Sequence, residues 1–441
     1  MADLRSIDIL VFGATGYTGQ YVVNELAKLA KKYGGLTWGI AGRNKDKLQG
    51  VLRKTSEKTG LVQCTTCNSR CQDPESLRAM TSRTKVLVNC CGPYRFLGEA
   101  VVKACIESGT HHLDISTEPQ YMELMQLKYH KAAEEKGVYV ISACGFASIP
   151  TDLGTVYLQK NFEGPLSNAL KSVCKITFFS FLPTPKNPKE RGISGALAHF
   201  GTWESVVYWF AHWYELWRIR SKLNEQKLPA LRPKLIQWPF ILNNEIVRGP
   251  WCLTFWSVDK SVIERSQRHF FEKNEQRPAQ INTYFVVSNF LIVIGLFILG
   301  LVFLLMSQCC LGRKLLLKVT SYFHEGPTEE AEEHTSATFT FRGKGWSEKI
   351  WLAPVPRQDC HYQCKIFKFL QVAFKSPGYG FTALSLLIGH QLNFIAYFYS
   401  RGGVLPPAAA FRKTSLIEQL MQHDVKFEVT SKLLSNFLKE K

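Results

Sequence analysis

The chain has 441 residues, room for about three domains at roughly one per 150 residues, and it is too long for a small scaffold that depends on staples. Its 46% hydrophobic, 20% charged and 12% aromatic residues exclude the disordered, collagen-like and low-complexity classes. A formal net charge of +18 attracts polyanions, but the basic residues are scattered from Arg5 to Lys441. With no arginine-rich arm, zinc-finger spacing or RNA-binding aromatic signature, nucleic acid is disfavoured and an anionic membrane surface fits better.

Thirteen cysteines occur without a secretory signal, because the apolar run Ile7 to Phe12 is short and ends in glycines, so a reducing compartment is expected. Cys64, Cys67 and Cys71 lack a partner pair at ligand spacing, as do Cys360 and Cys364. Free thiols are expected rather than a metal site.

In chain order, Ile7 to Phe12 reads as a strand, Gly13-Ala14-Thr15-Gly16-Tyr17-Thr18-Gly19 as a turn, and the following Tyr21, Val22, Leu26 and Leu29 recur at helical spacing. Further strands are predicted at Thr37 to Ala41, Leu61 to Thr65, Val86 to Cys90, His111 to Ile115 and Val138 to Ser142. Helices between them are predicted at Lys45 to Lys54, from Pro74, at Gly98 to Ser108 and at Pro119 to Lys136. Sustained alternation of this kind implies a Rossmann-type, doubly wound parallel sheet of the α/β class.

G-x-x-G-x-x-G between the first strand and helix lets backbone approach a pyrophosphate, whose charge meets the helix N-terminal N–H groups. Gly13, Thr15, Gly16, Tyr17, Thr18 and Gly19 are therefore candidate cofactor contacts. After the second strand, where an NAD site usually carries a carboxylate, the chain reads Ala41-Gly42-Arg43-Asn44-Lys45. Arg43 suits a 2′-phosphate, with Lys45 or Lys47 adding positive charge and Asn44 a further candidate cofactor contact, so the expected cofactor is NADP(H) rather than NAD(H). After the fourth strand, Cys91, Gly92 and Pro93 put small residues at the ligand edge of the sheet. Tyr94 is either a nicotinamide neighbour or a packing residue, and Asp114 either a ligand-side carboxylate or a helix cap. With Asp152, these two are the candidate catalytic residues.

Taken together, VFGATGYTGQY (Val11 to Tyr21), AGRNKDKLQ (Ala41 to Gln49), VLVNCCGPYRFLGEAVVKACIESGTHHLDIS (Val86 to Ser116) and GFASIPTDLG (Gly145 to Gly154) resemble the saccharopine dehydrogenase family, most closely its saccharopine dehydrogenase-like oxidoreductases. Weaker matches continue at GTWES (Gly201 to Ser205), SPGYGFTA (Ser376 to Ala383) and GGVLPPAAAF (Gly402 to Phe411). The resemblance implies an NADP-binding domain over 1–155, a central mixed α/β substrate or dimerisation domain over 156–375, and a segment 376–441 returning to the first domain. Two positions depart from the family pattern: Ala147 stands where relatives usually carry Asp, and Thr117 where they carry Gly.

The middle of the chain carries an aromatic stretch from Trp203 to Trp217 on a predicted helix starting near Thr202. The stretch Pro377 to Ser400 reads as a buried helix. Between Arg277 and Arg313 lie 35 residues without Asp, Glu, Lys or Arg, and Tyr284 to Met306 is nearly all apolar, enough to cross about 30 Å of hydrocarbon. Because the resemblance brings both flanks into one body, a hairpin bent at Gly295 and Gly300 is expected, entering and leaving the same leaflet or a lipid-droplet monolayer. Basic residues on both flanks agree with two cytosolic ends. The expectation is an oxidoreductase associated with endoplasmic reticulum or lipid droplets, facing the cytosol and acting on an apolar or lipid-like substrate, with a homodimer as the candidate assembly. A catalytically silent NADP(H)-binding scaffold is the alternative.

Overall fold

The computed structural model describes residues 5–60, 64–163, 173–180, 184–185, 199–225, 228, 240–241, 251–254, 258–274, 278–287, 289–318, 326–328, 330, 335–345, 366–375, 379–391 and 402–430. The first part alternates as expected: β1 (Ile7–Phe12), α1 (Tyr17–Tyr33), β2 (Trp38–Gly42), α2 (Lys45–Thr59), β3 (Thr65–Asn68), α3 (Pro74–Thr81), β4 (Thr84–Asn89), α4 (Tyr94–Ser108), β5 (His111–Asp114), α5 (Pro119–Glu135), β6 (Tyr139–Ile141) and α6 (Ser148–Glu163). Capping chemistry sets the helix ends: Asn44 accepts from the Lys47 N–H at 2.9 Å, Gly60 closes α2 in the left-handed region, and Asp73 caps α3 ahead of Pro74.

The second part adds β7 (Val173–Ser180), β8 (Thr184–Pro185), α7 (Phe200–Ala211), α8 (Trp213–Leu223), β9 (Phe240–Ile241), β10 (Trp251–Thr254), α9 (Val258–Asn274), β11 (Gln280–Val287), α10 (Phe290–Gln308), α11 (Cys310–Lys318), β12 (Thr335–Gly345), β13 (Ile366–Lys375), α12 (Tyr379–Gln391), β14 (Gly403–Leu405), α13 (Pro407–Phe411), α14 (Leu416–Gln422) and β15 (Lys426–Thr430).

Two sheets result. The first has seven strands in the order β14-β6-β5-β4-β1-β2-β3, every described pairing parallel. Its strand order reverses between β1 and β4, the point at which open α/β sheets bind ligands. The second sheet runs β15-β13-β12-β7-β11-β10-β9, with β8 beside β12, and is antiparallel except for β7 with β11. The C-terminal segment serves both sheets, giving β14 to the first and β15 to the second. Helix α6 joins them: Ile149 and Leu153 share one buried cluster with Val11 and Val88 of the first sheet and Phe339 and Phe341 of the second. A Cβ on Gly154 would stand 2.8 Å from the Phe341 ring, so only glycine allows α6 so close to β12.

Four expectations change. The third strand is described at Thr65–Asn68, an edge strand whose residues alternate half-buried and exposed and which therefore needs little apolar sequence, while residues 61–63 of the expected strand lie outside the described ones. Helix α4 begins at Tyr94, which turns that tyrosine from a loop residue into the first residue of a helix. The aromatic stretch forms two helices, α7 and α8, divided at His212. The apolar segment is no hairpin, since α10 runs unbroken through Gly295 and Gly300, where an added Cβ would meet nothing within 4 Å. At 1.5 Å per residue its 19 residues extend about 28 Å, and α10 is the described helix long and apolar enough to cross a membrane. The expected buried helix is present as α12, with Phe381, Leu386 and Leu387 in the core; residues 392–400 lie outside the described ones.

Candidate functional site: a dinucleotide edge on the first sheet

The loops after β1, β2, β4, β5 and β6 meet at the carboxyl edge of the first sheet. Gly13 adopts φ +83°, a region costly for any residue with a Cβ, and its own absent Cβ would sit 2.7 Å from Cys91 Sγ. A Cβ on Gly19 would strike the Gly13 carbonyl oxygen and lie 2.9 Å from Ala14 Cα. Both glycines therefore keep the turn tight. Helix α1 starts at N-cap Gly16 with no side-chain cap and no acid in its first turn, which leaves its positive end for an anion. Arg43 is exposed just after β2, its charge felt by the free thiols of Cys71 and Cys91, which are hydrogen-bonded to each other. A pyrophosphate cradle next to an exposed guanidinium fits NADP(H): the glycine turn and the start of α1 would hold the diphosphate, and Arg43 the 2′-phosphate.

The comparisons agree with this geometry. Residues 9–141 match the family model described as the saccharopine dehydrogenase NADP binding domain. The human saccharopine dehydrogenase-like oxidoreductase is 36% identical over 450 residues, covering 97% of this chain and 98% of its own. The chain belongs to the saccharopine dehydrogenase-like oxidoreductases. Its cofactor is NADP(H). A relative from Caenorhabditis elegans named lipid droplet localized protein is 32% identical, covering 96% of this chain and 98% of its own. The apo saccharopine dehydrogenase (L-Glu forming) of Saccharomyces cerevisiae shares the fold, with a TM-score of 0.53 at 12% identity over 96% of this chain and 99% of that one.

Several side chains have other work than the sequence suggests. Tyr17 turns away from the phosphate turn into an aromatic group: its ring stacks on His199 at 5.0 Å and meets Tyr379 edge-on at 4.6 Å, and its hydroxyl donates to the Pro327 carbonyl. Its contribution to a phosphate is thus its place on the first turn of α1. Asn44 spends its side chain capping α2. His199 and Pro327 are neighbours of Tyr17 that no local pattern announces, whereas Tyr379 lies in the weaker family match Ser376 to Ala383. Tyr379 meets Tyr17 and the Thr382 hydroxyl accepts from the Phe146 N–H at 3.0 Å, so the first turn of α12 ties the start of α1 to the loop before α6.

The three acid-base candidates are buried and bonded within the protein. The Tyr94 hydroxyl donates to the Asn89 carbonyl at 2.8 Å, and its N–H to Glu118, whose carboxylate also takes the Arg95 N–H and the Ser205 hydroxyl. Asp114 caps no helix: its two oxygens accept from the N–H groups of Ser116 and Ala143 and the hydroxyls of Ser142 and Tyr121. Burial still pushes its pKa up to about 6. Asp152 belongs to the packing of α6 on α9 and α13, not to the nucleotide edge, and accepts from Ser266 Oγ at 2.7 Å and the Ala408 N–H at 2.8 Å. Among the described residues its Oδ1 has no partner, and burial raises its pKa to about 7 despite the hydrogen bonds from Ala408 and Ser266 and the Arg265 charge. Among the described residues no group of three His, Cys, Asp or Glu could hold a metal ion.

A folded pKa raised above the unfolded value means that the folded state binds the proton more tightly. The resulting stability is full below about pH 4 and is lost as pH rises through about 7. Asp152→Asn keeps one acceptor oxygen and removes the buried charge. Denaturation at pH 5 to 8 is expected to show a shallower fall for Asp152→Asn than for wild type, by at most about 1.4 kcal/mol per pH unit. Parallel profiles would show that Asp152 does not titrate in this range.

Proposed function

We propose that this chain is an NADP(H)-dependent oxidoreductase held on the cytosolic face of a membrane or lipid droplet by α10, moving hydride to or from an apolar or amphipathic substrate. The bound nicotinamide supplies the hydride chemistry. The chain's part is to fix the cofactor through the glycine turn and Arg43.

The observation that carries the reading is that the phosphate turn and α10 are two ends of one packed chain of contacts. Tyr17 stacks on His199, the N-cap of α7; farther along α7, Trp203 and Phe210 meet Phe303 of α10 at 5.3 and 5.4 Å. The other end of α10 touches the same body, Phe290 stacking on Trp251 at 4.6 Å. A helix fastened at both ends to one body favours attachment from one side over a crossing that would separate its flanks. The name of the worm relative, lipid droplet localized protein, supports the same address.

Arg43→Ala should weaken NADPH binding by about tenfold to a hundredfold, the 1.5–3 kcal/mol of a charge-assisted bond, and leave NADH binding unchanged. Equal wild-type affinities for the two cofactors would remove Arg43 from the 2′-phosphate. Turnover is tested by NADPH oxidation with a panel of lipid-derived carbonyls and imines presented in vesicles.

A second reading, an NADP(H)-binding scaffold without turnover, is favoured by Ala147. It lies just before α6, half-buried, at φ +71°, a conformation that alanine adopts at a cost of about 1–2 kcal/mol and that aspartate tolerates better. If the scaffold reading is right, wild type binds NADPH but oxidises none across the panel. Turnover that appears only in Ala147→Asp would identify the missing carboxylate as the lost function.

A further inference from the structure

Beside the C-terminal end of α10 lie two short helices with an unusual outward face. Gln308 Nε2 donates to the Phe210 carbonyl at 3.0 Å, so α8, which starts three residues after Phe210, begins next to the end of α10. Helix α11 follows directly and is pinned to α7 by the Trp203 indole, which donates to the Leu316 carbonyl at 3.0 Å.

The inner side of α8 is fixed by ion pairs. Glu215 accepts from Arg95 at 2.6 and 2.7 Å, and Arg220 bonds Glu123 through both Nε and Nη2. The residues left outward are Trp213, Tyr214, Trp217, Arg218, Ser221 and Lys222, one stripe at helical spacing. The stripe is graded, aromatic where it adjoins α10 and basic at its far end. Trp217 is 75% exposed and Trp213 58%. On α11 the outward residues are Cys310, Leu311, Lys314, Leu315 and Lys318, again a single stripe, in a helix that contains no acid.

A water-facing helix surface is normally polar, and exposed aromatic patches mark contacts. Tryptophan and tyrosine beside lysine and arginine are the composition of a headgroup-level surface. The one acid of α8 is turned inward to Arg95, so Arg218, Lys222, Lys314 and Lys318 make the outward charge uniformly positive.

We infer that α8 and α11 form a second lipid contact, seated at headgroup level around the end of α10 and selective for anionic phospholipid. The inference rests on the reading of α10 as lipid-embedded. It is argued from continuity with that helix and from charge complementarity.

Flotation of the full chain on vesicles of phosphatidylcholine alone, and of phosphatidylcholine with phosphatidylserine, tests it. Wild type should bind both and favour the anionic vesicles. Combined Arg218→Gln, Lys222→Gln, Lys314→Gln and Lys318→Gln should remove that preference, a loss of up to about several hundredfold at roughly fivefold per charge, while binding to phosphatidylcholine persists. Brominated lipid should quench a smaller share of tryptophan emission in the Trp213→Phe/Trp217→Phe variant than in wild type. Equal wild-type binding to the two compositions with no such change in quenching overturns the second contact and leaves α10 standing. Absence of binding to either vesicle overturns the α10 reading itself. A charge variant that changes oligomeric state in sedimentation but keeps its lipid preference would make this face a protein interface and overturn the inference.

Discussion

Gly19→Ala is expected to lower NADPH affinity by at least about a hundredfold, close to 3 kcal/mol. The added methyl would strike the Gly13 carbonyl oxygen and approach Ala14 Cα to 2.9 Å and Gly13 carbonyl carbon to 3.0 Å. These are backbone atoms of the phosphate turn itself, so they can yield only by opening the turn. Overpacking of this kind costs about 1–3 kcal/mol of stability even before a ligand is considered. Gly50→Ala is the control. Gly50 lies inside α2, where an added Cβ meets nothing within 4 Å, and the substitution should raise stability by about 0.5–1 kcal/mol without touching cofactor affinity. Isothermal titration with NADPH and thermal denaturation of both variants separate the effects. Unchanged affinity in Gly19→Ala would mean that the turn does not hold the diphosphate.

The same comparison explains what local sequence can and cannot disclose. The glycine turn and Arg43 are legible because their chemistry lies within one strand-turn-helix unit: spacing alone fixes which backbone can approach an anion. Tyr17 belongs to that unit too, yet its partners His199, Pro327 and Tyr379 come from the other half of the chain, and only the fold brings them together. Asp114 illustrates a second limit. A polar residue at the end of a buried strand reads the same whether it faces a ligand or gathers four internal donors, and the donors Ser142 and Ala143 arrive from the neighbouring strand and its loop. Asp152 is clearer still, since Ser266 and Ala408 belong to helices with no sequence relation to α6.

The apolar segment was legible in length but not in shape. Two glycines invite a bend only where packing or a turn requires one, and in α10 nothing presses on either. The helical hydrogen bonds of a 19-residue apolar helix outweigh the roughly 1 kcal/mol that each glycine costs.

Charging the middle of α10 should have the largest effect of all. From Ile294 to Val302 every residue is exposed, on all sides of the helix, so this stretch is covered by no other part of the chain. Phe297 is 74% exposed and Leu301 51%, one turn apart. In water, arginine at both positions would cost little, because Phe297 is largely exposed, Leu301 about half exposed, and neither belongs to a buried core cluster. In lipid, each arginine at a helix centre costs about 2.5–3.5 kcal/mol on insertion scales. Phe297→Arg/Leu301→Arg should therefore shift the protein from the membrane or droplet fraction to the soluble one by about ten-thousandfold in partitioning. Melting temperature and NADPH affinity should stay unchanged, since neither residue contacts the body that binds the cofactor. That pairing of outcomes makes the test decisive: a variant that remains membrane-bound removes α10 as the anchor, whereas one that also loses NADPH binding shows that α10 supports the fold from within.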